Sequence, residues 1–342
     1  MAQTRVIAAE VAARAGVSQS AVSRVFTPGA SASPATAKKV RAAAEALGYR
    51  PNVLARAMVS GKSRMIGLVV AYLDNQFYPD VLEQLSNALQ KRGYHVLVFM
   101  ASQTAGNIDK VVDEILDYQV DGIIAASVAL SSDLSRRCRA VGVPMVLFNR
   151  LQDDPGMSAV TSANRAGGRK LAEFLLATGH DRIGYIAGWE GASTQRDREQ
   201  GFRDGLALAG KSLHARAVGN FTLEGARAAA REMFAPAGAA NLPDAVFVAN
   251  DHMAMAVMDT LRSELGMRIP EDVSVVGYDD VPAAAWPAYD LTTVRQPANR
   301  MVAQTVEILL AEIEDPSAAA RRIEIDGPLI VRGSARRPEG GT

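Results

Sequence analysis

The sequence predicts two folds in one chain: a small all-α helix-turn-helix head followed by a two-lobed α/β body. Three observations carry this. Residues 15–26 read AGVSQSAVSRVF, a turn with a capped helix behind it; the charge is split along the chain; and from residue 64 short β-rich runs alternate with helical stretches in two series.

In the first stretch, Gly16 can take the left-handed backbone of a sharp turn, and Ser18 can cap the helix that starts near Gln19. Val22, Val25 and Phe26 then fall at i, i+3 and i+4 as one apolar stripe, while Gln19, Ser20, Ser23 and Arg24 project from the other side. Residues 6–15 supply an Ala-rich first helix, so the unit reads helix, turn, helix, the pattern whose second helix enters the major groove. A helical hairpin inside a larger core would share that pattern, and charge argues between the two. Through residue 64 there are ten cations against Glu10 and Glu45, a net of +8, and because Lys+Arg and Asp+Glu both total 37 the remainder carries −8. A basic head on an acidic body suits a module that neutralises phosphates.

A third helix follows. Ser33-Pro34 is a cap with Pro at the first helical position, Val40, Ala44 and Leu47 recur on one face, and Gly48 ends the run. Lys38, Lys39 and Arg41 lie off that stripe, where they could meet phosphate. Beyond it, residues 49–58 read YRPNVLARAM, with Asn52 as a cap and about two turns of helix, too short to be stable alone. Leu54 and Met58 share a face with nothing local to bury them, so they need a partner.

With these residues in view, the chain resembles the LacI family of bacterial repressors. The likeness rests on AGVSQSAVSRVF, on SPATAKKVRAAAEALGYRPN and on much of the body. It implies double-stranded operator DNA as a partner, a homodimer with a tetramer as a further assembly, and a periplasmic-binding-protein-like body that takes a small-molecule effector. It also implies a hinge helix that pairs with its copy in the dimer, placing Leu54 at the pairing position, Arg56 beside it, and Met58 as the minor-groove wedge where the family usually has Leu. A flexible apolar Met suits an unstacked base step. Ile7 and Glu10 stand where the family commonly has Thr and Asp, a departure at the first cap and at one phosphate contact, and Gln76 stands where it often has Pro.

In the body, strands are expected at 65–71, 95–100, 122–126 and 144–148, and then at 182–187, 216–219, 245–249 and 273–277, with helices near 79–92, 108–118 and 133–141. Strand and helix in alternation imply parallel sheets covered on both faces, with a ligand between the lobes at the carboxyl ends of the strands. The expected organisation is a head at 1–50, a hinge at 51–63 and a body at 64–342, whose first lobe takes 64–161 and 296–322 and whose second takes 162–295 and 323–335.

Several residues fall where strands should end. Asp74 to Tyr78 follow the first, Asn149 and Arg150 the fourth, Arg196 to Arg198 open a later helix, and Asn250-Asp251 and Asp279-Asp280 follow two more. Arginine, carboxylates and amides around one crevice suit a hydroxyl-rich or acidic guest, and Phe77, Tyr78 or Phe221 could stack on its apolar face. The resemblance implies effector contacts at Asn149, Arg198, Asn250 and Asp279, with Phe221 and Gln296 beside them; Asp74, Phe77 and Tyr78 complete the expected set. Asp251 and Asp280 are expected to be structural. A sugar or sugar acid is the leading effector, a nucleobase or another metabolite the alternative.

Other classes fit less well. Gly61-Lys62-Ser63 resembles the end of a phosphate-binding loop, but Arg56 stands where that motif requires Gly. There is no G-x-S-x-G or G-x-G-x-x-G, so no enzyme is expected. The four His (His95, His180, His214, His252) lack ligand spacing and Cys138 is the sole cysteine, so neither metal nor cofactor is expected. No apolar run approaches the ~20 residues of a membrane helix. Residues 1–20 carry Glu10 and Arg14 rather than an export signal, which disfavours a transport binding protein and points to the cytoplasm.

Overall fold

The computed structural model describes residues 6–27, 30–50, 62–101, 108–128, 132–152, 154, 156–234 and 241–337. The chain divides into two compact units, Met1–Arg64 and Met65–Thr342.

Among the described residues the head holds three helices, α1 (Ala8–Ala15), α2 (Gln19–Phe26) and α3 (Pro34–Leu47). Their ends follow the local chemistry of the sequence. Gly16 and Gly48 close α1 and α3 in the left-handed region, at φ 65° and 66°, where a side chain would be strained. Ser18 accepts from the Ala21 N–H, and Ser33 from the Thr36 N–H ahead of Pro34. Ile7 has no capping oxygen, yet the Glu10 carboxylate reaches back to its N–H at 2.9 Å, which supplies half of a capping box. Val11, Val22 and Val40, one from each helix, are fully buried together, and Phe26 meets Tyr49 beside them.

Among the described residues the body contains two six-stranded sheets. The first comprises β1 (Met65–Val70), β2 (His95–Met100), β3 (Gly122–Ala126), β4 (Met145–Phe148), β5 (Ser158–Ser162) and β11 (Arg322–Ile325), in the order β11-β5-β4-β3-β1-β2 and parallel throughout. The second comprises β6 (Ile183–Ala187), β7 (Ala215–Val218), β8 (Ala245–Val248), β9 (Ser274–Asp279), β10 (Thr292–Arg295) and β12 (Leu329–Ile330), in the order β12-β10-β9-β8-β6-β7, where β10 and β12 pair antiparallel and the others parallel. The helices are α4 (Phe77–Gln90), α5 (Ile108–Asp117), α6 (Ser132–Ala140), α7 (Asn164–Ala177), α8 (Ser193–Leu208), α9 (Leu223–Phe234), α10 (Asp251–Ser263) and α11 (Ala298–Glu314).

The chain passes between lobes three times: from β5 into α7, from β10 into α11, and from β11 into β12. The last crossing corrects one expected boundary. Ile323–Ile325 were assigned to the second lobe, but β11 pairs with β5 in the first sheet, Ile323 opposite Val160 and Ile325 opposite Ser162. Burying Ile325 against that edge decides the matter, so the crossing lies after residue 325. Strands β5 and β10 were not anticipated, because SAVTS and TTVR are too polar to read as core.

Helices α7 and α8 pack without side chains between their backbones. A Cβ on Gly168 would lie 2.1 Å from the Arg198 carbonyl oxygen, and one on Gly201 would lie 2.0 Å from that of Arg165. This close approach sets the position of the α8 turn bearing Arg198. Gly201→Ala should therefore lower the denaturant midpoint: the helix-propensity gain is ~1 kcal/mol, while forcing two backbones apart costs ~1–3 kcal/mol beyond it. An unchanged or higher midpoint would show that the helices separate freely.

Candidate DNA-binding face and effector cleft

On the head, Ser18, Gln19, Ser20, Ser23 and Arg24 line one side of α2, opposite the buried Val22. The Ser18 hydroxyl is 2.9 Å from that of Ser20 as well as capping the helix. Lys38, Lys39 and Arg41 are all exposed on α3. Leu54, Arg56 and Met58 lie outside the described residues.

In the body, the carboxyl ends of both sheets bring most of the expected effector residues together. Arg198 is the centre of the second-lobe side. Its Nε donates to Asn164 Oδ1 at 2.9 Å, a terminal nitrogen donates to the Ala249 carbonyl at 2.6 Å, and the other lies 3.3 Å from Asp279. The guanidinium also covers the Tyr278 ring at 3.8 Å. Asp279 accepts from Gln296 Nε2 at 2.6 Å and, across the lobes, from Asn75 Nδ2 at 3.4 Å. It occupies φ 132°, a conformation that L residues rarely adopt, held by these surrounding bonds. Burial pushes its carboxyl up, and the Arg198 charge opposes that rise.

On the first-lobe side, Asn149 Nδ2 donates to the Tyr78 hydroxyl at 3.2 Å, and that hydroxyl also meets Ser127 Oγ. Phe77 gives its ring to Phe148 and Tyr78 and is buried, so it backs Tyr78 rather than offering a free stacking face. Asp74 is exposed, with an oxygen 3.6 Å from His252 Nε2 of the other lobe. Phe221 is buried over Gly188, where a Cβ would meet its ring at 2.2 Å. Asn250 caps α10, its Oδ1 accepting from the Met253 N–H at 3.0 Å.

The two acids expected to be structural are used within the second lobe. Asp251 accepts from Thr293 Oγ1 and the Val281 N–H, and Asp280 accepts from Arg295 and Arg332.

Residues outside the expected set also enter the cleft. Arg150, buried at the end of β4, places its guanidinium over the Trp189 ring of the other lobe at 5.3 Å. The Leu151 N–H donates to Ser193 Oγ at the start of α8, and the Ala283 N–H donates to Gln76 Oε1. Asn75 and Asn164 join through Asp279 and Arg198. Arg150 was within reach of the sequence, since it adjoins Asn149 at a strand end; Trp189 carried no signal beyond following β6. Among the described residues, five buried side-chain atoms have no hydrogen-bond partner in the protein: Asn149 Oδ1, Arg150 Nε and Nη1, His252 Nε2 and Gln296 Oε1. Buried polar atoms are normally satisfied, so a cluster of both donors and acceptors marks a place where a polar guest completes the bonding.

A helix-turn-helix head and a two-lobed body with a polar cleft define a ligand-responsive DNA-binding protein. The profile described as bacterial regulatory proteins, lacI family, matches residues 9–52, and that of a periplasmic binding protein-like domain matches residues 172–335. The HTH-type transcriptional repressor PurR of Photobacterium profundum is 31% identical over 333 residues, 96% of this chain and 98% of the relative. The HTH-type transcriptional regulator CelR of Thermobifida fusca is 33% identical, covering 95% of this chain and 96% of the relative. Among solved structures, a lac repressor dimer bound to operator and the anti-inducer ONPF has a TM-score of 0.86 at 26% identity, covering 97% of this chain and 99% of that one. A CelR–cellobiose complex has a TM-score of 0.73 at 31% identity, covering 97% and 100%. The chain belongs to the lacI family of bacterial regulatory proteins. It is a transcriptional regulator and not an enzyme. No helix among the described residues is long and apolar enough to cross a membrane.

Burial, with the nearby Asp279 charge, pushes the Asp251 carboxyl up to about 7. Since this lies above the ordinary carboxylate value of ~3.9, the stabilising contribution of Asp251 is full below about pH 4 and is lost as pH rises through 7. Asp251→Asn should flatten that part of the profile, its melting midpoint falling less than the wild type's between about pH 4 and 7. Parallel profiles in a thermal-melt series would contradict the assignment.

Proposed function

We propose that the chain represses transcription by holding an operator as a homodimer in the cytoplasm, and that a hydroxyl-rich small molecule of the carbohydrate class, bound between the lobes, controls that grip. The observation that carries the effector reading is the set of buried, unpartnered donors and acceptors on Asn149, Arg150 and Gln296 at strand ends and on His252 at the start of α10. A polyol offers both kinds of group in close succession, which is what such a cluster requires. Cellobiose in the CelR complex supports the same class of guest.

For DNA, Gln19, Ser20 and Arg24 read base edges, while Ser18, Ser23 and the cations of α3 meet phosphates. Leu54, Arg56 and Met58 serve the hinge, with Met58 as the wedge in the minor groove. A second copy packs on the free edge of the first sheet, where Val98 and Met100 of β2 are exposed beside Leu73. Two-fold symmetry then suits paired half-sites, and a tetramer would add a second pair. Effector binding changes the relation of the lobes, and with it the order of the hinge and the affinity for DNA.

Two substitutions separate these roles. Arg24→Ala should cost roughly 1–3 kcal/mol of discrimination between operator and random DNA, as an arginine–guanine pair is worth; intact discrimination in a competition binding assay removes Arg24 from the groove. Arg198→Ala should keep DNA binding and lose the response to effector, and an unchanged response in the same assay removes Arg198 from the cleft machinery.

A further inference from the structure

Two buried arginines of the cleft stand in opposite electrostatic situations. Arg198 is neutralised by Asp279 at 3.3 Å, and all three of its nitrogens are engaged. Arg150 is only 4% exposed, and among the described residues its Nε and Nη1 have no hydrogen-bond partner. Its guanidinium rests on the Trp189 face, and no carboxylate among the described residues pairs with it. Burial pulls its pKa down, and the groups opposing this are the phenols of Tyr78 and Tyr72. Burial pushes the Tyr72 phenol well above the ordinary phenol value near 10, so it does not cancel a cation at neutral pH.

A second positive feature lies beside it. Helix α8 begins at Ser193 with no side-chain cap at Ala192, and it is joined to the Arg150 turn by the Leu151 N–H bond to Ser193 Oγ at 2.9 Å. The positive end of a sixteen-residue helix therefore adjoins an uncompensated guanidinium. Hydroxyls could satisfy the N–H groups of Arg150 but would leave its charge unbalanced. Taking an unpaired charge out of water is expensive, and an anion with two acceptor oxygens relieves that cost.

We propose that the effector is anionic: a carbohydrate carrying a carboxylate or phosphate group, which Arg150 holds against Trp189 at the mouth of α8. This rests on the carbohydrate reading of the cleft and narrows it. Arg198 and Asp279, being mutually neutralised, face the uncharged part of the same molecule.

The test is isothermal titration of the purified full-length protein with matched sets: glucose, glucuronate, gluconate and glucose 6-phosphate, then the corresponding galactose and ribose compounds. In at least one set a charged member should bind about tenfold or more tightly than its neutral parent. The uronate, aldonate and phosphate arms tell a carboxylate from a phosphate. Arg150→Gln should remove the preference while Arg150→Lys keeps it. A neutral parent that binds as tightly as its charged forms overturns the anionic effector but leaves a carbohydrate site standing, and a preference unchanged in Arg150→Gln overturns Arg150 as the group that holds the anion. Binding by no member of any set overturns the carbohydrate reading itself and this inference with it. A ligand-free measurement adds an independent arm: Arg150→Met, which keeps the packing on Trp189, should melt higher than wild type. An equal or lower melting point means that the protein already balances the charge, and overturns the proposal.

Discussion

Arg198 fixes the geometry on which the cleft depends. One side chain ties the first crossing, through Asn164, to the end of β8 through the Ala249 carbonyl and to the end of β9 through Asp279. Such a buried guanidinium is tolerable only because every polar edge is engaged and an opposing charge is near. Its position comes from outside the cleft, where the glycines of α7 and α8 let two backbones meet. The smallest residues of the lobe thus set the location of a large charged one.

Beside firmer links between the lobes, such as Leu151 N–H to Ser193 Oγ and Ser162 Oγ to the Tyr278 hydroxyl, both at 2.9 Å, three inter-lobe contacts are of another kind. Asn75 to Asp279 at 3.4 Å, Gln76 to the Ala283 N–H at 3.3 Å and Asp74 near His252 at 3.6 Å are individually long or partly exposed. Each of these three is weak compared with the bonds within a lobe, and exchanging it disturbs neither sheet. That division of strong from weak is what a body needs if a small guest is to alter the relation of its halves. Arg198 is paired with Asp279, whereas among the described residues Arg150 is paired with no carboxylate.

The parts of the fold that rest on local chemistry were legible in the sequence. Gly16, Ser18, Ser33-Pro34 and Gly48 punctuate the head through their own backbone preferences, and the helix ends fall where those residues put them. The central strands β1, β3 and β8 could be read because parallel strands buried on both faces are unbroken apolar runs. Strand β5 could not, since its buried Ser158 and Ser162 are satisfied by distant partners, Glu312 and the Tyr278 hydroxyl, the latter at 2.9 Å from Ser162. The site divides the same way. Residues at strand ends were visible by position, whereas the pairing of Arg198 and the isolation of Arg150 arise from contacts that composition does not encode. Phe77 shows the limit clearly: an aromatic beside a cleft can as well support its neighbours as face the guest.

The late return of β11 and β12 also governs the order in which this molecule can assemble. The head closes its core between residues 11 and 44 from contacts between neighbouring helices, the kind of structure that forms fast. Neither sheet of the body is complete until the chain has passed Arg322 and Leu329, because those segments add strands to the outer edges of β5 and β10. A ribosome making this protein therefore presents a finished head well ahead of the body's sheets, and until residues 322–330 are made the edges of β5 and β10 stay open to pairing with neighbouring chains.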